Sequence, residues 1–241
     1  DPRIYYCSLY GVAFCRSEDR GATWQCRSNH PGVTRTIAIE VDPSRSEVVY
    51  AGYEQMYRSD DGGRTWSLSL DPGPDREFFD IKMPTPGTLY AAAIHMISAD
   101  ERHAELYRST DGGVTWEGPS EAFGHRALAV GPIVAASDGT IYVASYDFVR
   151  RSSDGGATWE RLTVGLTGHP DDRWVDGLAV DPVDPSRLYL VARSHRLHGS
   201  IDGGDTWSGA ASGMPHTLYS VSFADGGKGT AVGDRGTIVR T

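Results

Sequence analysis

The stretch Ser59-Asp60-Asp61-Gly62-Gly63-Arg64-Thr65-Trp66 decides the fold, because its skeleton Ser-x-Asp-x-Gly-x-Thr-Trp occurs five times in 241 residues. The copies begin at Ser17, Ser59, Ser109, Ser152 and Ser200. Their aspartates, Asp19, Asp61, Asp111, Asp154 and Asp202, are 42, 50, 43 and 48 residues apart. Five of the six tryptophans (Trp24, Trp66, Trp116, Trp159, Trp207) close a copy. Such a short phrase has local roles. Its glycines allow the positive φ that a tight hairpin turn needs. Its Ser, Asp and Thr can bond turn amides. Its Trp can bury on the order of 150–250 Å² between neighbouring units. Calcium takes roughly six to eight oxygens, far more than one or two carboxylates per turn supply. The phrase therefore predicts a folding staple with no ligand.

Self-similarity at this period calls for a repeat architecture. One whole repeat runs from Arg35 to Leu70. Thr36–Val41 reads as a first strand, Asp42-Pro43-Ser44 as a turn, and Glu47–Tyr53 as a second strand. Met56–Ser59 is a third strand, the phrase itself turns, and Thr65–Leu70 is a fourth. Four short antiparallel strands per repeat make one blade of a β-propeller. The third repeat carries a longer insertion near His95–Ala104 between its second and third strands. The ends are partial: Asp1-Pro2 matches the turn after a first strand, and the C-terminal strands stop where a sixth phrase would begin. The expected fold is all-β, one propeller domain over residues 1–241, with repeats near 1–28, 34–70, 77–118, 126–163, 174–210 and 217–241. Six blades are the simplest closure, with five or seven as alternatives, because a ring must pair its edges.

Composition narrows the partners. Glycine is abundant (29) and apolar content is 39%, as a packed body of short strands requires. A net charge of −9 argues against nucleic-acid or anionic-membrane partners. No run of about 18 apolar residues is present to span a bilayer. All three cysteines, Cys7, Cys15 and Cys26, fall in the first repeat. Cys15 and Cys26 flank its turn, on adjacent strands. A disulfide there needs Cα atoms within about 7 Å. The alternative is three half-buried thiols acting as small apolar side chains. A secreted or periplasmic location is expected, as is a monomer.

The repeated phrase is the Asp-box, or BNR repeat. The chain resembles that β-propeller superfamily over essentially its whole length. The resemblance implies the propeller fold and admits several functions, since sialidases, xyloglucanases, sortilin-type receptors and photosystem II assembly factors share the box. The sialidase pattern is poorly met: Arg3-Ile4-Tyr5 stands where an Arg-Ile-Pro opening is sought. Xyloglucanase-type enzymes set a cleft between two large propellers. Gly-x-Ser-x-Gly is absent, and Asp225-Gly226-Gly227-Lys228 lacks Walker spacing.

In such a ring the box turns occupy one face. The loops between second and third strands, and between successive repeats, occupy the other. Seven of the eight histidines fall in or beside these site-face loops, and only His198 does not. His95, His125, His169, His195 and His216 form a candidate metal set, for zinc, copper or iron. Asp80 and Asp176, in first strands, are candidate catalytic carboxylates or partners of the histidines. Trp174 could stack on a ligand. Arg126 and Arg173, with Arg76, could clamp an anion or form ion pairs within the ring. Glu54, Asp147 and His30 complete the candidate ligand-binding set. The readings are a small-ligand-binding or metal-assisted enzyme with its site in the funnel, a non-catalytic platform for peptides or proteins, and a glycoside hydrolase.

Overall fold

The computed structural model describes residues 1, 3–9, 13–28, 36–98, 101–120, 130–145, 148–162, 175–192, 196–211, 216–225 and 228–240. The chain groups into two compact units, residues 1–126 and 127–241.

In the first unit, β1 (Tyr5–Leu9), β2 (Ala13–Ser17) and β3 (Gln25–Arg27) form a three-stranded sheet. A second sheet is β4 (Ala38–Val41), β5 (Val49–Gly52), β6 (Met56–Ser59) and β7 (Ser67–Leu70). A third is β8 (Arg76–Thr85), β9 (Thr88–Met96), β10 (Arg102–Ser109) and β11 (Glu117–Ser120). The second unit holds β12 (Val130–Ala135), β13 (Ile141–Ser145), β14 (Phe148–Ser152) and β15 (Glu160–Leu162). Its next sheet is β16 (Val175–Val180), β17 (Leu188–Ala192), β18 (Arg196–Ser200) and β19 (Ser208–Ala211). The last is β20 (Leu218–Asp225), β21 (Lys228–Gly233) and β22 (Ile238–Arg240). All are antiparallel meanders. The described residues thus make six blade-like sheets, four of them four-stranded and the two terminal ones three-stranded. This is the strand content of a six-bladed propeller.

Each box turn is held by its own side chains. In the second copy, Ser59 Oγ accepts from the Gly63 amide at 2.8 Å and donates to Asp61 Oδ1 at 2.8 Å. Asp61 Oδ1 then accepts from the Thr65 amide at 2.8 Å, and Oδ2 from the Thr65 hydroxyl at 2.6 Å. The other four copies repeat these bonds. Hydrogen bonds from the threonine, the largest influence, hold Asp19, Asp111, Asp154 and Asp202 down at about 2. At Asp61 burial pushes the other way, and the Thr65, Ser59 and Arg64 bonds outweigh it, again to about 2. The carboxylates are occupied by the turn itself, which suits a staple.

Adjacent sheets within a unit are clasped by a second recurring device. Tyr50 Oη and Arg58 Nη1 both donate to the Gly112 carbonyl in the third sheet's box turn, at 2.7 and 3.0 Å. In the second unit Tyr142 Oη and Arg151 Nη1 donate to the Gly203 carbonyl at 3.2 and 2.9 Å. The box tryptophans add apolar contact. Trp66 meets Phe14 edge-on at 4.9 Å, Trp116 packs on the core between the second and third sheets, and Trp207 is buried in the core between the fourth and fifth. Trp24 departs from this use and stays 41% exposed. Between the second and third sheets lie Tyr50, Met56, Phe78, Ile81, Leu89, Ala91, Ala93 and Tyr107, all buried. Burying a side chain the size of Phe78 contributes about 1.5–3 kcal/mol.

The insertion expected near 95–104 is a strand extension rather than a free loop. β9 and β10 run on so that His95 pairs directly with His103, and Met96 with Arg102. Their alternation, with Ala91, Ala93 and Tyr107 facing the core, carries the ladder past the usual blade length. This longer wall shapes the site.

Candidate functional site

At the ends of the second and third sheets opposite their box turns, an open cleft of about 620 Å³ is lined by Glu54, Gln55, Asp71, Gly73, Pro74, Asp75, Arg76, Glu77 and Met96. Three features of the chain build it. The β5–β6 turn carries Glu54 and Gln55. The segment 71–75 links the second sheet to the third, and its Asp75 adopts a positive φ of 61°. The starts of β8 and the far end of the lengthened β9 supply the remaining wall.

The link is tied down from both sides. Gln55 Nε2 donates to Asp71 Oδ2 at 2.8 Å, and Tyr57 Oη donates to Gln55 Oε1 at 2.6 Å. Asp71 Oδ1 accepts from the Gly73 amide at 2.9 Å. The Met96 amide donates to the Asp75 carbonyl at 2.8 Å, and the Phe78 amide bonds the Tyr53 carbonyl across the two sheets. Asp71 and Gln55 thus act mainly as brackets, while Glu54 and Asp75 are exposed at the rim.

Behind Arg76 lies a buried polar cluster. Glu105 is only 8% exposed and accepts from Arg76 Nε at 2.9 Å, Arg76 Nη2 at 3.3 Å and Tyr107 Oη at 2.7 Å. His95 Nδ1 is 3.2 Å from Glu105 Oε1. Burial, and after it the bond to Glu105, pushes the Tyr107 phenol far above its ordinary range. Burial of Arg76 disfavours its charge, but the Glu105 carboxylate outweighs this and the guanidinium is held above its usual value. A buried carboxylate needs such partners, and three donated hydrogen bonds, from Arg76 twice and from Tyr107, supply them. The cleft wall therefore carries four carboxylates, and its one guanidinium is spent on Glu105.

Of the residues singled out from sequence, Glu54 lines this cleft, and Arg76 forms an internal ion pair rather than an anion clamp. His95 stands beside the cleft, turned to Glu105. Asp80 lies further along β8. Its Oδ1 accepts from the Ile81 amide at 2.9 Å, and it is not among the residues lining the cleft. Asp176, in β16, and His216, just before β20, are half-buried in the second unit. His30, His125, His169, His195, Arg126, Asp147, Arg173 and Trp174 lie outside the described residues. Among the described residues, no group of three or more His, Cys, Asp or Glu side chains is arranged to hold a metal ion. Sequence reasoning missed Asp71, Asp75, Glu77, Glu105 and Tyr107. The alternation His103-Ala104-Glu105-Leu106-Tyr107 did signal that Glu105 shares a face with Tyr107, but not that Arg76 meets it from β8.

Residues 57–68 and 107–117 match the BNR/Asp-box repeat family. Together with the sheets above, these matches are consistent with a BNR-type β-propeller fold. Solved structures bear out the fold. The chain is similar to an ancestral GH74 enzyme, at 18% identity and TM-score 0.79, over 100% of this chain and 35% of that one. It is similar to YCF48 bound to a D1 peptide, at 17% identity and TM-score 0.56, over 100% and 90% of the two chains. It also resembles a chain of a nidogen/laminin complex, at 14% identity and TM-score 0.66, over 99% and 88%. The chain spans about a third of the length of the GH74 enzyme it matches. No curated protein matches the sequence.

Proposed function

We propose that this propeller chain is a non-catalytic interaction module, and that its cleft between the second and third sheets receives an extended, positively charged peptide segment. The observation that carries this reading is the cleft's charge. Glu54, Asp71, Asp75 and Glu77 face a space of about 620 Å³, and the local guanidinium is neutralised by Glu105. Acidic rims of this kind steer basic partners and speed their encounter. Propellers of this fold include YCF48, solved with a D1 peptide, and a member of a nidogen/laminin complex. The Cys15–Cys26 disulfide fits residence in an oxidising, extracytoplasmic compartment.

The test is titration of the chain with a fluorescent lysine- and arginine-rich peptide and with an acidic peptide of equal length, at two salt concentrations. The basic peptide should bind, more weakly in higher salt, and Glu54→Lys with Asp75→Asn, which keeps at 75 a residue suited to positive φ, should abolish binding while the circular dichroism spectrum stays that of the parent. Equal binding of both peptides, or unchanged binding by the doubly substituted variant, would dismiss the reading. Metal analysis of protein purified without a nickel column belongs beside it. Stoichiometric zinc, copper or iron would instead support the histidine-centred enzyme that His95, His125, His169, His195 and His216 suggest.

A further inference from the structure

The three cysteines form one straight row across the first sheet. Cys7 of β1 pairs directly with Cys15 of β2, and Cys15 pairs directly with Cys26 of β3. Directly opposed residues in an antiparallel sheet point to the same face, with Cβ atoms about 4.5–5.5 Å apart. Cys15 and Cys26 are joined as a disulfide, with Cα atoms 4.0 Å apart, and Cys7 is a free, half-buried thiol. A thiol therefore stands beside Cys15 in the same cross-strand row, on the side away from Cys26. The same face carries Tyr5, Leu9, Ala13 and Ser17. Arg16 and Arg27 pair into the opposite-face rows with Tyr6, Gln25 and Phe14.

We infer that Cys7, Cys15 and Cys26 are a thiol–disulfide relay, which moves the free thiol from β1 to the exposed strand β3 and makes Cys26 a modification site. Thiol–disulfide exchange proceeds by attack of a thiolate on a disulfide sulfur, with rates set by access and by which sulfur is attacked. The Cys7 thiolate attacks Cys15 Sγ. The Cys7–Cys15 bond forms, the Cys15–Cys26 bond breaks, and Cys26 departs as a thiolate. The proton lost by Cys7 is taken up by Cys26 through solvent. One disulfide and one thiol exist before and after, so no oxidant or reductant is consumed. The row favours this direction of attack, because only Cys15 adjoins both other cysteines. It also favours the leaving group. Cys15 is 1% exposed, whereas Cys26 lies in a strand whose three residues are all exposed. Departure therefore releases charge into water and not into the sheet. The released thiol on β3, at the sheet's edge, can then join an incoming disulfide as a mixed disulfide.

The chain's own cleavage sites make the exchange readable. Trypsin places Cys7 and Cys15 together in peptide 4–16 and Cys26 alone in peptide 21–27. Native protein without reductant is treated with N-ethylmaleimide for increasing times, quenched in acid, digested and analysed by mass spectrometry. The relay predicts peptide 21–27 carrying maleimide, with peptide 4–16 closed on itself by an internal disulfide, and this pair growing with time at a rate independent of protein concentration. In Cys7→Ser, and in Cys7→Ala should that serine disturb the sheet, the label on peptide 21–27 disappears and the two peptides stay linked. Label confined to Cys7 at all times, or no label at all, overturns the relay. So does label on peptide 21–27 that persists without Cys7, or a rate that scales with protein concentration.

Discussion

Replacing Glu105 by leucine should unfold the first unit more readily than any loss of volume explains. The Glu105 side chain is 10% exposed and that of Arg76 17%, so both are largely out of water. Removing the carboxylate leaves the guanidinium buried without its counter-ion, and breaking such a pair costs about 3–5 kcal/mol. The residual exposure of Arg76 lets water reach it, which places the expectation near the lower end, about 3 kcal/mol. Tyr107 Oη loses its acceptor as well, a further penalty of about 1 kcal/mol if water cannot replace it. The double variant Arg76→Met with Glu105→Leu removes both charges together and leaves apolar groups of similar volume. It should recover most of the loss and unfold within about 1–2 kcal/mol of the parent. Urea unfolding followed by tryptophan fluorescence reads both, and thermal melting should show the single variant lower by roughly 6–12 °C, at about 2–4 °C per kcal/mol for a chain of this size. If the single variant melts within a degree or two of the parent, the cluster is wetter than its geometry implies. If the double variant is as unstable as the single, the unpaired charge is not the cause. Either result would refute the account of Arg76 as a guanidinium committed to the interior.

The remaining predictions follow the turns and clasps. The five box aspartates titrate near 2 when folded and near the ordinary ~3.9 when unfolded, so they stabilise the fold above about pH 4 and lose that contribution as pH falls toward 2; circular dichroism between pH 5 and pH 2, at constant ionic strength, should show unfolding concentrated in that window. Gly113→Ala should cost more than Gly139→Ala, since both have positive φ and incur about 1–2 kcal/mol of strain. Only at Gly113 would the new Cβ meet Ser69 Oγ at 2.7 Å and Tyr50 Cε1 at 3.0 Å, so equal midpoints in urea would contradict the packing. Tyr50→Phe alone should cost about 0.5–1 kcal/mol because Arg58 still donates to the Gly112 carbonyl, whereas adding Arg58→Met leaves that carbonyl without either donor and should exceed the sum of the two single losses.

The fold was readable because every repeat writes its hairpin turn in side chains that act within five residues of one another. The side-chain bonds of Ser59 and Asp61 reach only Asp61, Gly63, Arg64 and Thr65 of the same turn, so their spacing in sequence is already their geometry. Met56–Ser59 appears as a strand over the same residues in sequence and structure, and its neighbours differ only by trimmed ends. Glu54 was legible as a site-face residue for the same reason, since its place in the β5–β6 turn follows from the repeat frame. What was not legible depends on register and on contacts between strands. His95 and His103 looked like loop residues because nothing local says that β9 and β10 continue. Once the ladder runs on, they become opposed strand residues, and one of them turns to Glu105. Arg76 and Glu105 are 29 residues apart, joined only through the order β8-β9-β10. The cysteine row has the same character: Cys15 with Cys26 could be guessed from one turn, whereas Cys7 joins them only because β1 pairs with β2 in that register.

The sign of the cleft's charge depends on that same non-local pairing. Counted from sequence, the segment Asp71–Glu77 carries three acids and one arginine, and a neighbouring Glu54 adds a fourth acid. Were Arg76 turned outward it would stand among these carboxylates as an anion-binding group, the role its type suggests. The structure turns it inward, because Glu105 sits on the core face of β10 and must be paired there. Burying Glu105 therefore does two things: it orders Arg76 against the third sheet, and it keeps the charge of Arg76 away from the rim's carboxylates. An unpaired Arg76, freed by Glu105→Leu, should consequently weaken a basic peptide and strengthen an acidic one even at temperatures where the fold is intact. Stability and selectivity would then shift together in the single variant. In the double variant stability returns and the rim stays acidic, so preference for the basic peptide should return with it. Recovery of stability without recovery of that preference would separate the cluster from the cleft and deny Glu105 its part in setting the charge.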